Sequence, residues 1–174
     1  MKEEHPKSAP TGQWKMPETE IRTALGHFIM GWAGLEAVLE ISIAKQLGLE
    51  ALEASIVTSS IQFKGRCAIL LSLLNRNPGK YERGINAVKQ IQNICDRNDI
   101  LHSVMGGSES IIWFNRRKTT NKFTSKIERY DSRRLNLLAL KCGDLAGELM
   151  ECLSISKDNY TSFFQEAHNR ANNV

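Results

Sequence analysis

Apolar residues that recur every three or four positions dominate the sequence, and this is the spacing that one face of an α-helix requires. The first such stretch runs from about Glu18 to Leu47 and stops before Gly48, a typical helix terminator. About thirty residues in one helix would span ~45 Å, long enough for the spine of a helical bundle. Its apolar positions are Ile21, Leu25, Phe28, Trp32, Leu35, Leu39, Ile43 and Leu47.

Two further helical regions follow. The second region is in two pieces, Glu50 to Val57 and Ile61 to Leu74, and a polar cluster from Asn75 to Gly79 closes it. The third helix is predicted from about Tyr81 to Ser103, with Gly106-Gly107 as its stop.

Between the third helix and the last long helix, the pattern changes to that of β-strands. Ser110 to Asn115 and Lys122 to Glu128 indicate an exposed β-hairpin, with Arg116 to Asn121 as its polar loop. The last long helix begins near Ser132, a good N-cap, and a short helix from about Tyr160 to Asn169 follows. We therefore predict an all-α protein, a four- to five-helix up-and-down bundle with a β-hairpin insertion before the last long helix.

The 174 residues suffice for one domain and are too few for two. Residues 1–17 are polar and contain three prolines, which predicts a flexible tail before a single domain over 18–174. There is no run of about 20 consecutive apolar residues and no apolar core in the tail, so we expect neither a membrane span nor a secretory signal. The expected compartment is the cytoplasm, where the four cysteines would be buried thiols: Cys67, Cys95, Cys142 and Cys152.

Positive charge is concentrated in one segment. Between Glu109 and Arg134 there are eight basic and three acidic residues, so this segment holds the whole excess of a chain whose net charge is +4. Such a concentration favours a phosphate-bearing partner. The basic residues on the predicted hairpin are Arg116, Arg117, Lys118, Lys122 and Lys126.

The common signatures of cofactor and metal chemistry are missing from the sequence. It contains no GxGxxG, Walker, GxSxG or HExxH motif, and its four histidines neither cluster nor have cysteines or carboxylates at the spacing of metal ligands. We therefore expect no cofactor and no metal site.

A set of neighbouring polar residues falls on the apolar side of the predicted third helix. Asn98 and His102 are one helical turn apart, and Arg97 is adjacent to them. A histidine can move a proton near neutral pH, and an arginine can bind phosphate oxygens. Two interpretations stay open. The residues form an acid–base and phosphate-binding site, or they are structural, with Arg97 paired to Asp96 or Asp99 on the surface.

The hexapeptide from Arg97 to His102 resembles the RxxxxH motif, with Asn after the Arg, of the HEPN superfamily of helical-bundle proteins. The pattern from Trp32 to Leu39 in the first helix, the hairpin, and the entry from Tyr130 to Leu135 into the last helix are similar to those of several prokaryotic members. The resemblance covers roughly residues 18–155.

The resemblance implies metal-independent RNA cleavage by a homodimer whose two motif helices form one composite cleft. The ribose 2′-hydroxyl would attack the adjacent phosphate, with His102 as general base or acid and Arg97 stabilising the charge of the transition state. Asn98 would fix the imidazole tautomer. The resemblance suggests that the protein is a toxin or an effector of stress or phage defence, with an antitoxin or regulatory partner.

Several further residues are candidates for supporting roles. Asp99 or Tyr130 could be a second proton carrier, and Glu36 could orient an arginine or histidine of the site. Alternatively, Glu36 is a salt-bridge partner at the edge of the helix.

The basic hairpin is a candidate RNA-binding element because cations follow a phosphate backbone and aromatic rings stack on unpaired bases. Trp113, Phe114 and Phe123 are the aromatic residues near these cations, and of the adjacent pair only one should face solvent. The alternative is a solvated basic loop.

Two other functions compete with the endoribonuclease. One is a catalytically inactive HEPN-like module for dimerisation or for binding a partner or RNA. The other is a binder of small ligands that uses a pocket between helices.

Overall fold

The computed structural model describes residues 18–94, 100, 104–108, 110–120 and 122–172, with the backbone alone at 104, 116–120, 122 and 123. The tail over 1–17 lies outside the described residues. The described part forms six helices and a three-stranded antiparallel sheet. The helices are α1 (Thr19–Leu47), α2 (Ala51–Ser59), α3 (Phe63–Leu74), α4 (Pro78–Gln92), α5 (Ser132–Cys152) and α6 (Lys157–Ala171). The strands are β1 (Val104–Gly107), β2 (Ile112–Thr120) and β3 (Lys122–Tyr130).

Helix α1 is the central element, as its long apolar stripe predicts. Gly48 ends it with φ of 68°, a left-handed conformation that glycine adopts without strain. By length and mean hydropathy α1 could cross a membrane, and among the described helices it is alone in this. Half of its most apolar window is nevertheless buried inside the bundle, which is typical of the core helix of a globular domain.

Side-chain contacts show how α5 and α4 lie relative to α1. Hydrogen bonds join Glu20 to Ser132 near the starts of α1 and α5 and Lys45 to the carbonyl of Ser154 near their ends, so these two helices are parallel. Helix α4 begins beside the end of α1, because Tyr81 is hydrogen-bonded by Gln46. The protein is therefore mostly helical, and the sheet lies between α4 and α5 in the chain.

The prediction of one continuous third helix from about Tyr81 to Ser103 was wrong at its C-terminal end. Helix α4 starts earlier, at Pro78, and ends at Gln92, where the side chain of Asn93 donates a hydrogen bond to the carbonyl of Lys89 at 3.0 Å. The residues expected near its C-terminus, Val104–Gly107, form β1 instead. Pairing with β2 satisfies the backbone groups of these residues.

The predicted hairpin is present, but it belongs to a larger sheet. Strand β1 pairs with the first half of β2, so the insertion has three strands rather than two. The segment predicted as a polar loop, residues 116–121, is strand up to Thr120, and strand resumes at Lys122. Threonine at positions 119 and 120 suits a strand, so β-propensity and ladder pairing prevail over the polar composition.

The last two helices agree with their predicted positions, apart from one cap. Asp131, not Ser132, is the N-cap of α5, because its carboxylate accepts a hydrogen bond from the backbone N–H of Arg134 at 2.7 Å. Helix α6 is longer than predicted and begins after Ser156, whose side chain caps Asn159.

One hydrophobic core joins the described helices to the base of the sheet. Cys67 and Cys142 lie fully buried in it as free thiols, and burial raises the pKa of each to about 11. The prediction of buried structural thiols is thus confirmed for these two residues, and Cys152 is half-buried. Cys95 lies outside the described residues.

Candidate functional site

The motif that carries the predicted chemistry lies between the end of α4 and the start of β1. Arg97, Asn98, Asp99 and His102 themselves lie outside the described residues. Ile94 before them and Ile100 within the motif are both buried in the core. The chain is therefore fixed to the bundle on both sides of Arg97.

The site was predicted from one continuous helix through the motif, and the described helix α4 ends before it. The argument that Asn98 and His102 share a face with Ile91 requires an unbroken helix, and α4 ends at Gln92. Ile100 is helical again and buried. The arrangement of Asn98 and His102 relative to each other therefore stays a prediction.

The end of α4 lies level with the middle of α1. Tyr81 is beside Gln46, and α4 then advances about 16 Å to Gln92 at ~1.5 Å per residue. Because α4 runs antiparallel to α1, Gln92 comes level with the turn of α1 that contains Trp32 and Glu36.

Glu36 is the centre of a half-buried polar cluster between α1 and α3. Its carboxylate accepts a hydrogen bond from Trp32 Nε1 at 3.1 Å and lies 3.6 Å from Arg66 Nη2. The side chains of Arg66 and Glu36 are 16% and 19% exposed, so this ion pair is largely desolvated. The interpretation of Glu36 as a salt-bridge partner is confirmed, although its carboxylate lies well inside the bundle.

Arg66 is the residue that sequence reasoning missed. Its Nε atom is buried and has no hydrogen-bond partner in the described part of the chain. Phe63, one turn earlier on α3, packs on Trp32 with ring centroids 4.7 Å apart. A cation inside the apolar stretch Phe63–Leu74 was the available signal, because such a charge needs a buried partner.

Tyr130 closes the base of the sheet rather than facing an open cleft. It is 3% exposed, its hydroxyl donates to Glu128 Oε2 at 2.9 Å, and Phe114 packs edge-on against its ring. The guanidinium of Arg134 lies over the ring, 4.2 Å from its centroid. The structure therefore gives Tyr130 a packing role at the junction of the sheet and α5.

Lys126 has a carboxylate partner next to Tyr130. Its ammonium lies 2.7 Å from Glu128 Oε1. This hydrogen bond, the one from Tyr130 and the nearby Arg134 lower the pKa of Glu128 below its ordinary value. Lys126 remains mostly exposed, so its charge faces solvent while its position is fixed.

Beyond the base, β2 and β3 continue to pair with each other, whereas the described residues of β1 pair with β2 as far as Asn115. We call residues 116–126 the basic ribbon; it contains five basic residues and no acidic one. The register puts Arg116 directly opposite Lys126 and Lys118 opposite Thr124. Since alternate residues share a face, Arg116, Lys118, Lys122 and Lys126 occupy one face of the ribbon and Arg117 the other.

The chain enters the sheet beside the basic ribbon. Val104 pairs with Asn115, and β1 runs antiparallel to β2 from there to Gly107. Arg116 and Arg117 follow Asn115, the partner of Val104, along β2. Val104, the first described residue after the motif, is therefore next to the start of the basic ribbon in the ladder.

The two neighbouring aromatic residues of β2 face opposite ways, as predicted. Phe114 is 4% exposed and packs on the core, whereas Trp113 is half-buried on the outer face. Trp113 lies across the backbone of Gly106, where a Cβ atom would come within 2.0 Å of its ring. Phe123 has no described side chain.

No group of three His, Cys, Asp or Glu side chains suited to a metal ion occurs among the described residues. Comparison of the chain with family models, with curated proteins and with solved structures finds no match.

Proposed function

We propose that this protein is a metal-independent endoribonuclease of the HEPN type. The observation that carries the proposal is the pairing of Val104 with Asn115. It supports a continuous surface in which the segment carrying Arg97 and His102 adjoins the basic ribbon. A phosphate backbone held by the ribbon would then lie at the end of the motif.

In this proposal, RNA is cleaved by its own 2′-hydroxyl. One His102 removes the proton from this hydroxyl, whose oxygen attacks the neighbouring phosphorus, and a proton returned to the 5′-oxygen lets that strand leave. Arg97 stabilises the charge on the phosphoryl oxygens, and Asn98 orients the imidazole. The products are a 2′,3′-cyclic phosphate and a 5′-hydroxyl, so DNA is not a substrate.

The supporting residues are assigned in the same way. Glu36 is assigned as a positioning residue, because its largely buried carboxylate already orients the guanidinium of Arg66. Asp99 remains the candidate for a second proton carrier, since the hydroxyl of Tyr130 is engaged with Glu128. The second active-site copy comes from a homodimer, in a cytoplasmic toxin or defence effector held in check by a partner.

The test is RNA cleavage in EDTA by the wild type and by Arg97→Ala and His102→Ala. We expect each substitution to lower the rate by about 10²–10⁴-fold, the contribution of a positioned acid–base group. Matched controls are Arg83→Ala and His168→Ala, which remove an arginine and a histidine exposed on α4 and α6. Cleavage that survives in all variants, or no cleavage of any RNA by the wild type, would refute the enzyme.

The second candidate function is an RNA-binding module without catalysis. It is favoured by the basic ribbon itself, whose excess of cations does not depend on the motif. This function predicts salt-sensitive RNA binding that is equal in the wild type and in His102→Ala, with no cyclic phosphate product.

A further inference from the structure

The three-stranded sheet has an outer face that points away from the core. Residues directly paired in a ladder lie on the same face, so the strand register assigns the members of this face. Trp113 occupies its centre, opposite Gly106 on β1 and Arg129 on β3. Asn115, two residues further along β2, is opposite Ile127, which is 40% exposed. The outer face thus presents an aromatic ring, an amide and an arginine side by side.

Trp113 is fixed in place by the strand beneath it. Its six-membered ring fills the space above Gly106, where a Cβ atom would lie 2.0 Å from Cζ2 and 2.4 Å from Cε2. The missing side chain at position 106 lets the indole lie against β1, and Trp113 is half-buried there. A planar ligand can stack on a ring held in this way at little cost in side-chain entropy.

The charge of the outer face is positive only. The three strands contain one acidic residue, Glu128, and it pairs with Phe114 and therefore lies on the core side. Arg129 is exposed on the outer face, and Arg117 occupies a position on the same face. An aromatic ring among cations, with no carboxylate, complements a polyanion that carries planar groups. Single-stranded nucleic acid is the polyanion of this kind.

Asn115 is held as a hydrogen-bond donor on this face. The Ser125 hydroxyl donates to Asn115 Oδ1 at 2.6 Å, which occupies the amide oxygen and orients the amide. The Nδ2 group of Asn115 forms no hydrogen bond with the described residues. Its two N–H donors match the keto oxygen of uracil or guanine, whereas cytosine and adenine carry an amino donor at that position. Asn115 is about 7 Å from Trp113 along β2, within reach of the edge of a stacked base.

We propose that the outer face of the sheet binds one unpaired keto base of single-stranded RNA. The base stacks on Trp113, its keto oxygen accepts a hydrogen bond from Asn115 Nδ2, and its phosphate contacts Arg129. Gly106 and Arg129 are two strand spacings apart, about 10 Å, so the nucleotide lies across the sheet with its base over β1. The cations of the basic ribbon supply affinity for any sequence, and the outer face adds a preference among bases. The site rests on RNA as the ligand in the proposed function, but it does not require cleavage.

The test compares the affinity of the full chain for 2′-O-methyl oligouridylate and 2′-O-methyl oligocytidylate of equal length, measured by fluorescence anisotropy at one salt concentration. Both probes lack the attacking hydroxyl, so they stay intact even if the protein cleaves RNA. Uracil has a keto oxygen where cytosine has an amino group. We expect the oligouridylate to bind about 2–10-fold more tightly, the range for one hydrogen bond.

Trp113→Leu should weaken binding of the oligouridylate by about 5–100-fold, because an aliphatic side chain offers no face for stacking. Trp113→Phe keeps an aromatic ring and should retain most of the affinity. Tyr160→Leu is the matched control, since it removes a half-buried ring on α6, outside the sheet, and should leave the affinity unchanged.

Asn115→Asp separates base preference from structure. The carboxylate still accepts the hydrogen bond from Ser125, but it replaces the N–H donors with an acceptor that suits the amino group of cytosine. The added negative charge weakens binding of both probes, so the ratio of the two affinities is the readout, and we expect it to fall to one or below. Asn86→Asp, on the exposed side of α4, adds the same charge and should leave the ratio as in the wild type.

Equal affinity of the wild type for the two probes, or unchanged affinity in Trp113→Leu, overturns the proposed site. So does a wild-type dimer in sedimentation that Ile127→Glu converts to a monomer, because a second copy of the chain would then cover the outer face. Base preference without RNA cleavage would refute the ribonuclease alone, and cleavage without base preference would refute this site alone. Thermal unfolding monitored by circular dichroism checks that each variant is folded.

Discussion

Arg116 and Lys126 stand directly opposite each other in the β2–β3 ladder. Like charges at directly opposed positions destabilise an antiparallel pair, and the ion pair of Lys126 with Glu128 offsets only part of this cost. A bound polyanion would remove the cost, because each cation would then contact a phosphate. Locally unfavourable choices of this kind are typical of functional surfaces.

Replacement of Arg116 by Gln therefore should affect stability and binding in opposite directions. We expect the free energy of unfolding to rise by about 0.2–1 kcal/mol, since the repulsion with Lys126 is lost. Affinity for RNA should fall, and the slope of log affinity against log salt should decrease by about one. Urea unfolding and salt-dependent fluorescence anisotropy with a single-stranded RNA measure the two effects.

Arg76→Gln is the control for Arg116→Gln, because Arg76 is exposed in the connection between α3 and α4. Like Arg116→Gln, it lowers the net charge of the chain by one. An equal loss of RNA affinity in both variants would mean that net charge, rather than the basic ribbon, drives binding.

Gly106 is required where Trp113 crosses β1. A Cβ atom at position 106 would lie 2.0 Å from Trp113 Cζ2, so Gly106→Ala should displace the ring and destabilise the protein by about 1–3 kcal/mol. Gly26→Ala on α1, where a Cβ would meet nothing within 4 Å, should instead stabilise it by up to ~1 kcal/mol. Thermal denaturation of both variants makes the comparison.

A second substitution identifies the cause of this loss. In a Trp113→Leu background, Gly106→Ala should cost much less, because the ring that it would strike is gone. If the cost stays the same in both backgrounds, the clash with Trp113 is not its origin.

Glu36→Gln tests the buried cluster between α1 and α3. The amide keeps an acceptor for Trp32 but leaves the largely desolvated Arg66 without its charge partner, so we expect a loss of about 1–3 kcal/mol in urea unfolding. Glu40→Gln is the control one turn later, where the carboxylate accepts a hydrogen bond from the Ser55 hydroxyl at 2.6 Å. It should cost less, because that contact involves no charge pair.

Addition of Arg66→Met to Glu36→Gln should recover part of the loss, since the cation left without its carboxylate is removed. A double variant as unstable as the sum of its two parents would show that Glu36 and Arg66 act independently.

Glu128 should make the sheet junction sensitive to acid. The hydrogen bond from Lys126, then that from Tyr130, lower the pKa of Glu128 from its ordinary 4.5 in the folded protein. The ionised carboxylate of Glu128 therefore contributes its full stabilisation above pH 4.5, and this stabilisation is lost as the pH falls through the lowered pKa. The loss of stability between about pH 7 and about pH 3 should be smaller in Glu128→Gln than in the wild type.

Glu82→Gln, on the exposed face of α4, is the control for this pH dependence. It should lose as much stability as the wild type over the same interval, measured by thermal denaturation at each pH. The assignment to Glu128 fails if Glu128→Gln shows the full acid sensitivity of the wild type.

The sequence by itself determined the helical elements whose apolar stripes are long. Helix α1 and its stop at Gly48, the break between α2 and α3, and the core face of α5 with Leu135, Cys142 and Leu149 all follow from local periodicity. It also determined the concentration of cations on one hairpin, because charge is a property of composition. The opposite orientations of Trp113 and Phe114 follow from strand alternation alone.

Tertiary structure alone decided the features that depend on residues distant in sequence. The apolar row of α4 continues past Gln92 in the sequence, but pairing with β2 makes Val104–Gly107 a strand. The partnership of Glu36 with Arg66 joins residues thirty positions apart, and the opposition of Arg116 to Lys126 depends on ladder register. Local propensity carries no information about such pairings, since their free energy appears only when distant segments meet in the folded chain.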